Sequence, residues 1–346
     1  MLKDFEGNDI SMADIPNSIR FFYGNSGYGK TYGMVRYLET EKDRGKKILL
    51  LDYSGSFTAE ERQKANFNGE IVVKNPYKEP VYVCFNKNAS DAADLLAHAM
   101  SIALRITSFY QVMILKEVLK TSFEKTNIVS MESIKFFLSP YLESSKNELK
   151  DNANHLLTRF MPYFGVVNLF FKNNILENND KQVLLLQLSD FSNLEREFLA
   201  TLLIEVFWSF VRNKVFNNFK FDTFILDEFQ NLSLKKGGAL YGFLKEGRRF
   251  GISLVLATQL LSCFEKDGVN TLFQAGNVLV FHPARSDLKT IAKIVSTDSY
   301  KQYENILNNL KRGQCLLLGN YYRNNSSKLY QTPLLCNVNT KNCERK

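Results

Sequence analysis

The chain has 346 residues, of which 45% are hydrophobic, and a formal net charge of +8. Such a chain has ample material for a core and is long enough for one large α/β domain with an insertion, or for two domains. No apolar run reaches bilayer-spanning length, the N-terminus MLKDFEGNDISMADI lacks an apolar signal core, and the five cysteines and three histidines show no zinc spacing. A cytoplasmic protein with reduced thiols and no His-based metal site is therefore expected.

In chain order, the first element is a short apolar strand over Ile19–Tyr23, then GNSGYGKT, then a helix over residues 31–43. Gly24, Gly29, Lys30 and Thr31 satisfy the pattern G-x-x-x-x-G-K-[ST]. The competing dinucleotide pattern G-x-G-x-x-G would begin at Gly27 and require glycine at position 32, where Tyr32 stands. Asp52 ends the next strand, Ile48–Asp52, at about the distance a ribose-binding acid needs, but the misplaced glycine defeats that reading. A loop between strand and helix turns the backbone N–H groups of Gly24, Asn25, Ser26, Gly27, Tyr28 and Gly29 toward phosphate oxygens. Lys30 then neutralises the β- and γ-phosphates, and the Thr31 hydroxyl ligates Mg²⁺. The expected ligands are ATP and Mg²⁺.

Between about residues 88 and 180 the pattern becomes helical. Residues 92–119, 131–143 and 146–164 read as helices with no strand among them, and residues 173–180 as an exposed return loop. The expected division is a core of residues 1–87 and 181–346, interrupted by a helical insertion of residues 88–180. Strand-length apolar runs resume at residues 183–188, 223–227, 252–257, 278–281 and 315–318. Most are continuous rather than alternating, as in parallel strands covered on both faces. A helix over residues 192–212 opens with the capping box Ser192-x-x-Glu195. The fold class expected is α/β: a RecA-like P-loop domain with a mostly parallel central sheet and an inserted all-helical subdomain.

The stretch FDTFILDEFQ ends a buried strand with two acids. Asp227, at the strand tip, suits Mg²⁺ binding through water, and Glu228 suits activation of the attacking water. Further on, EGRRFGISLVLATQ places Gln259 at the C-terminal end of a strand, where α/β sheets bind ligands. Arg248 and Arg249 precede that strand and so belong to the opposite edge. Arg248 is within reach of a neighbouring subunit's phosphates, or is simply a solvated cation at a helix end. Lys235 and Lys236, ahead of Gly237 and Gly238, read either as a mobile loop touching phosphates or as a solvated helix entry. After residue 300, eight cations stand against two acids, interleaved with Tyr303, Tyr321, Tyr322 and Tyr330. That mixture suits a polyanion such as nucleic acid, or is a soluble basic tail.

Together GNSGYGKT, LDYSGSF, FILDEFQNL, GRRFGISLVLATQ, GNVLVFHPARSDLKTIAKIV and LKRGQCLLLG resemble the HerA/FtsK superfamily of ring-forming, DNA-pumping ATPases, over about residues 18 to 320. The resemblance implies that Arg248 is a finger acting in trans, that Gln259 is a sensor, and that the assembly is a homo-oligomer, a hexameric ring on duplex DNA. HerA-type proteins carry a β-barrel domain before the P-loop, whereas 23 residues precede Gly24 here; a separate protein partner is therefore expected. The function expected is Mg²⁺-dependent ATP hydrolysis coupled to movement or remodelling of double-stranded DNA, in antiphage defence, conjugation or DNA packaging. A protein-secretion or assembly ATPase and a nucleotide-switched scaffold are the alternatives.

Overall fold

The computed structural model describes residues 2–14, 17–78, 88–164, 182–213, 221–234, 237–324 and 326–338. The return loop expected at 173–180, Lys235 and Lys236, Cys84 and Cys343, and the tail cations Lys341, Arg345 and Lys346 lie outside them.

Strands β1 (Leu2–Asp4) and β2 (Asp9–Met12) precede β3 (Ile19–Tyr23), α1 (Lys30–Asp43), β4 (Ile48–Asp52), α2 (Ala59–Lys64) and β5 (Ile71–Lys74). Four helices follow: α3 (Ala89–Ala103), α4 (Phe109–Thr126), α5 (Met131–Leu142) and α6 (Asn147–Phe160). The chain then returns through β6 (Val183–Gln187), α7 (Asn193–Asn213), β7 (Thr223–Leu226), α8 (Ala239–Glu246) and β8 (Ser253–Thr258). It closes with α9 (Lys266–Leu272), β9 (Asn277–Val280), α10 (Leu288–Val295), α11 (Tyr300–Asn308), β10 (Gln314–Gly319), β11 (Tyr321–Arg323), β12 (Leu329–Tyr330) and β13 (Leu334–Val338).

All the strands of the described residues join one sheet, ordered β12-β11-β2-β1-β13-β10-β9-β3-β8-β7-β4-β6-β5. From β9 to β5 every pairing is parallel. Six of these seven strands are the apolar runs of the sequence, whereas β5, only partly buried at the sheet edge, was not read from it; β3, β4, β7 and β9 are buried at every position. The other half, from β12 to β10, is antiparallel, and its short strands carry too little apolar periodicity to stand out in the sequence. Strand β10, read as one more apolar run, is the junction, pairing antiparallel with both β9 and β13.

This antiparallel wing changes the meaning of the basic C-terminal region. Tyr321 is fully buried and stacks on Tyr330 with ring centroids 5.6 Å apart. Arg323 lies over the same Tyr330 ring at 5.4 Å and reaches Asp4 Oδ2 at 3.7 Å. Those three residues knit the two ends of the chain together and are not a free platform for a polyanion. Lys301, Lys311 and Arg312 remain exposed.

The helical stretch departs from expectation at two points. A single helix over 92–119 is broken between α3 and α4, where Arg105 adopts φ 54° and Ser108 caps the new helix by accepting from the Gln111 N–H. Pro162 likewise converts the end of the last helix into a 3₁₀ turn, Met161–Tyr163. The capping box of α7 forms as expected: Glu195 Oε2 accepts from Ser192 N, and Ser192 Oγ accepts from Glu195 N. The helices α3 to α6 pack on α7 mainly through α3, with Tyr163 stacked on Phe198 at 4.3 Å. That stacked pair contributes about 1 kcal/mol. The nearby Arg105–Glu197 ion pair at 2.8 Å, exposed on both sides, contributes less.

Candidate active site

Sheet order brings the sequence motifs to one edge. Strand β8 lies between β3 and β7, with Tyr23 level with Thr258 and Leu226 level with Leu256. The chain therefore leaves β3 as the glycine loop, β7 as Asp227–Glu228 and β8 as Gln259, side by side at the carboxyl ends of the strands. Arg248 and Arg249 sit in the 3₁₀ turn Gly247–Phe250 before β8 begins, exposed at the opposite edge. A six-residue strand separates the two edges by roughly 20 Å, so Arg248 cannot serve the nucleotide site of its own chain.

The glycine loop is held from below. Asn25 N–H donates to the His282 carbonyl at 2.8 Å, its side-chain amide donates to the Pro283 carbonyl at 3.2 Å, and the Gly313 N–H donates to the Tyr28 carbonyl at 3.0 Å. The Tyr28 ring stacks on His282 at 4.4 Å. Gly24, at φ 145°, passes so close to Phe281 that a Cβ would stand 2.8 Å from the Phe281 Cβ. At Gly27, φ is 80° and nothing would meet a Cβ within 4 Å, so the crest of the loop is open, with Ser26 and Gly27 exposed. Gly29 precedes α1 with φ 107° and no side chain caps the helix, which leaves its first N–H groups for a ligand.

Lys30 is 6% exposed, and Nζ donates to the Asn25 carbonyl at 3.2 Å. Among the described residues it has no ion-pair partner within salt-bridge distance. Burial pushes its ammonium below the ordinary lysine value, while the fields of Glu228 and Asp227 work against that. Asp227 is 3% exposed, and burial, reinforced by the adjacent Glu228 charge, pushes its carboxyl up to about 6. Two hydroxyls oppose the shift: Ser54 Oγ and Ser56 Oγ both donate to Asp227 Oδ2, at 2.8 and 2.7 Å. Those serines are placed by Asp52, whose Oδ1 accepts from the Gly55 and Ser56 N–H groups and Oδ2 from the Phe57 N–H. Asp52 is thus consumed in shaping a turn, consistent with rejecting it as a ribose ligand.

Glu228 adopts φ 51°, ψ 43°, a left-handed conformation that costs a non-glycine residue about 1 kcal/mol or more. Its Oε1 accepts from Gln259 Nε2 and its Oε2 from Gln230 Nε2. Beyond it opens a cleft of about 600 Å³ whose lining includes Tyr53, Ser54, Arg196, Gln230 and Gln259. Sequence reading assigned Asp227, Glu228 and Gln259 but gave no role to Ser54, Ser56 or Gln230. The available signal was that LDYSGSF and DEFQ both sit at the ends of buried strands.

The chemistry present fits a magnesium nucleotide. The open glycine loop, the uncapped helix N-terminus and a buried lysine with no acid partner among the described residues suit a polyphosphate. Among the described residues, no group of three or more His, Cys, Asp or Glu could cage a metal. A single buried carboxylate, Asp227, instead suits an ion that keeps most ligands as water and phosphate oxygens, as Mg²⁺ does.

Structural comparison agrees with this layout. VirB4 of Thermoanaerobacter pseudethanolicus superposes with a TM-score of 0.67 at 14% identity, over 96% of this chain and 95% of that one. The plasmid coupling protein TrwB in complex with the GTP analogue GDPNP gives a TM-score of 0.67 at 15% identity, over 94% and 86%. TrwB in complex with ADP and Mg²⁺ gives 0.62 at 15%, over 92% and 85%. The chain shares the α/β fold of these proteins, with a central, largely parallel sheet. No protein-family model matches the sequence, and neither does any curated protein. Among the described residues, no helix is long and apolar enough to cross a membrane.

Proposed function

We propose that the protein is a ring-forming, Mg²⁺-dependent ATPase that translocates or remodels double-stranded DNA with a partner protein. The observation that carries the hydrolytic part is the convergence of buried Lys30, Asp227 and Glu228, with half-buried Gln259, at one sheet edge. Residues 1–87 and 181–346 form the motor core in this reading, and residues 88–180 the insertion. The glycine loop from Gly24 to Gly29 and the start of α1 bind the phosphates, with Lys30 neutralising the β- and γ-oxygens. Thr31, and Asp227 through water, hold Mg²⁺, which when bound supplies charge neutralisation across the β- and γ-phosphates. Glu228 orients the attacking water and takes its proton, and Gln259 links that carboxylate to the strand β8. An acid in the position of Glu228 argues against a pure nucleotide switch, because a switch needs no base.

The roughly 20 Å between Arg248 and the glycine loop supports a finger acting in trans, and with it an oligomer. The hexamer rests on the resemblance, since head-to-tail contacts close into a ring only at the right rotation. Similarity in fold to the bacterial conjugative coupling protein TrwB supports a DNA substrate. ATP hydrolysis measured against duplex concentration, with and without proteins encoded beside this one, tests the reading. Stimulation in either condition, with sequence-independent binding that weakens with salt at a log–log slope of about −0.9 per phosphate contacted, is expected. No stimulation in either condition, and no duplex binding at low salt, replaces the DNA substrate with a protein one.

A further inference from the structure

We propose that Gln230 is a positioning residue that holds the Glu228 carboxylate in the cleft and off Lys30. The proposal rests on the reading of Glu228 as the residue that activates water. Two amides grip that carboxylate from different elements: Gln259 at the end of β8 takes Oε1, and Gln230, in the turn after β7, takes Oε2. An ionised carboxylate only accepts, so the Gln230 amide must turn its NH₂ toward Glu228 and its oxygen the other way. That oxygen meets Thr258 Oγ1, which donates to it at 2.6 Å and itself accepts from the Leu260 N–H at 3.3 Å. The backbone of the turn is fixed as well, since Asn231 Nδ2 donates to the Glu228 carbonyl at 3.1 Å.

The competitor for this carboxylate is Lys30. It is buried, its field interacts with Glu228 more strongly than with Asp227, and no acid pairs with it among the described residues. A Glu228 side chain released from one amide would swing toward that cation, because a desolvated ion pair outweighs a single neutral hydrogen bond. Such a pair would take the base out of position and occupy the lysine at once. The other charged groups facing Glu228 are Asp227 beside it and Arg196 and Glu197 of α7 across the cleft. Arg196 is engaged with the Ser189 and Phe191 carbonyls. With Gln230 in place, the base and the lysine stay apart until a nucleotide arrives.

The test is steady-state and single-turnover ATP hydrolysis by Gln230→Met, which preserves volume and removes the amide, alongside ATP affinity and folding by circular dichroism. The expected result is a kcat lowered at least tenfold with ATP affinity changed less than threefold. Placed on Glu228→Gln, the same substitution should lower single-turnover hydrolysis no further, since Gln230 acts only through that carboxylate. Thr258→Val, which frees the Gln230 amide without touching it, should lower kcat in the same direction by a smaller factor, again only when Glu228 is present. It carries the test if Gln230→Met does not fold. The proposal is overturned if kcat is unchanged or raised, or if the loss is the same in the Glu228→Gln background. Wild-type protein that binds ATP without hydrolysing it overturns the reading of Glu228 itself, and the role of Gln230 with it.

Discussion

Replacing Asp227 by asparagine should stabilise the nucleotide-free protein at alkaline pH while destroying its proposed activity. Burial raises this carboxyl from an ordinary value of 3.8 to about 6, so the folded chain takes up the proton before the unfolded chain does. Above pH 6 both states are ionised, and folding must bury a charge that two serine hydroxyls satisfy only in part. Below 3.8 both are protonated and the penalty is gone. The span between the two values corresponds to about 3 kcal/mol of lost stability at pH 8. Asparagine keeps the shape and one oxygen for the serines, and removes the charge. In EDTA, without nucleotide, the Asp227→Asn protein should therefore melt about 4 °C above wild type at pH 8, given the unfolding entropy of a chain this long. The gap should narrow as pH falls through 6 and close near pH 4. Mg²⁺ with a non-hydrolysable ATP analogue should reverse the order at pH 8, because only the carboxylate gains from the metal. Equal melting points at pH 8, or a gap that ignores pH, would refute the claim that this buried charge is held ready for a cation.

Lys30→Ala and Glu228→Gln should both abolish steady-state hydrolysis, with Glu228→Gln keeping a slow single-turnover rate, yet only Lys30→Ala should weaken ATP binding, which isothermal titration distinguishes; equal loss of binding in both would remove Glu228 from its role. Mixing Arg248→Ala subunits with Lys30→Ala subunits should restore part of the activity where an intact site meets an intact finger, given that such fingers are worth on the order of 10³-fold or more in rate. Mixed assemblies confirmed by native mass spectrometry that stay inactive would disprove action in trans. Ending the chain after Gly319 should unfold the antiparallel wing instead of merely removing charge, because β13 pairs with both β10 and β1. Circular dichroism and proteolysis within residues 2–12 would reveal it, and an intact wing in that variant would contradict the pairing.

The parallel half of the fold, apart from its partly exposed edge strand β5, was legible in the sequence because strands covered on both faces must be continuously apolar, as ILLL and TFIL are. The glycine loop was legible because only glycine tolerates its backbone angles beside Phe281. The acids of FILDEF stood out against the apolar strand before them. The antiparallel wing was not legible, since β1, β2, β11 and β12 are two to four residues long and are defined by partners up to hundreds of positions away. The break at Arg105 was hidden for a related reason: a helix-favouring composition continues across it, and the cap at Ser108 acts over only three residues. At the site, sequence alone named Lys30, Asp227, Glu228 and Gln259, because each follows a recognisable strand or loop. Tertiary structure alone supplied Ser54 and Ser56 on Asp227 and Gln230 on Glu228. Those contacts depend on β8 lying between β3 and β7 and on β4 lying beside β7, and strand order is a property of packing that no local stretch of sequence encodes.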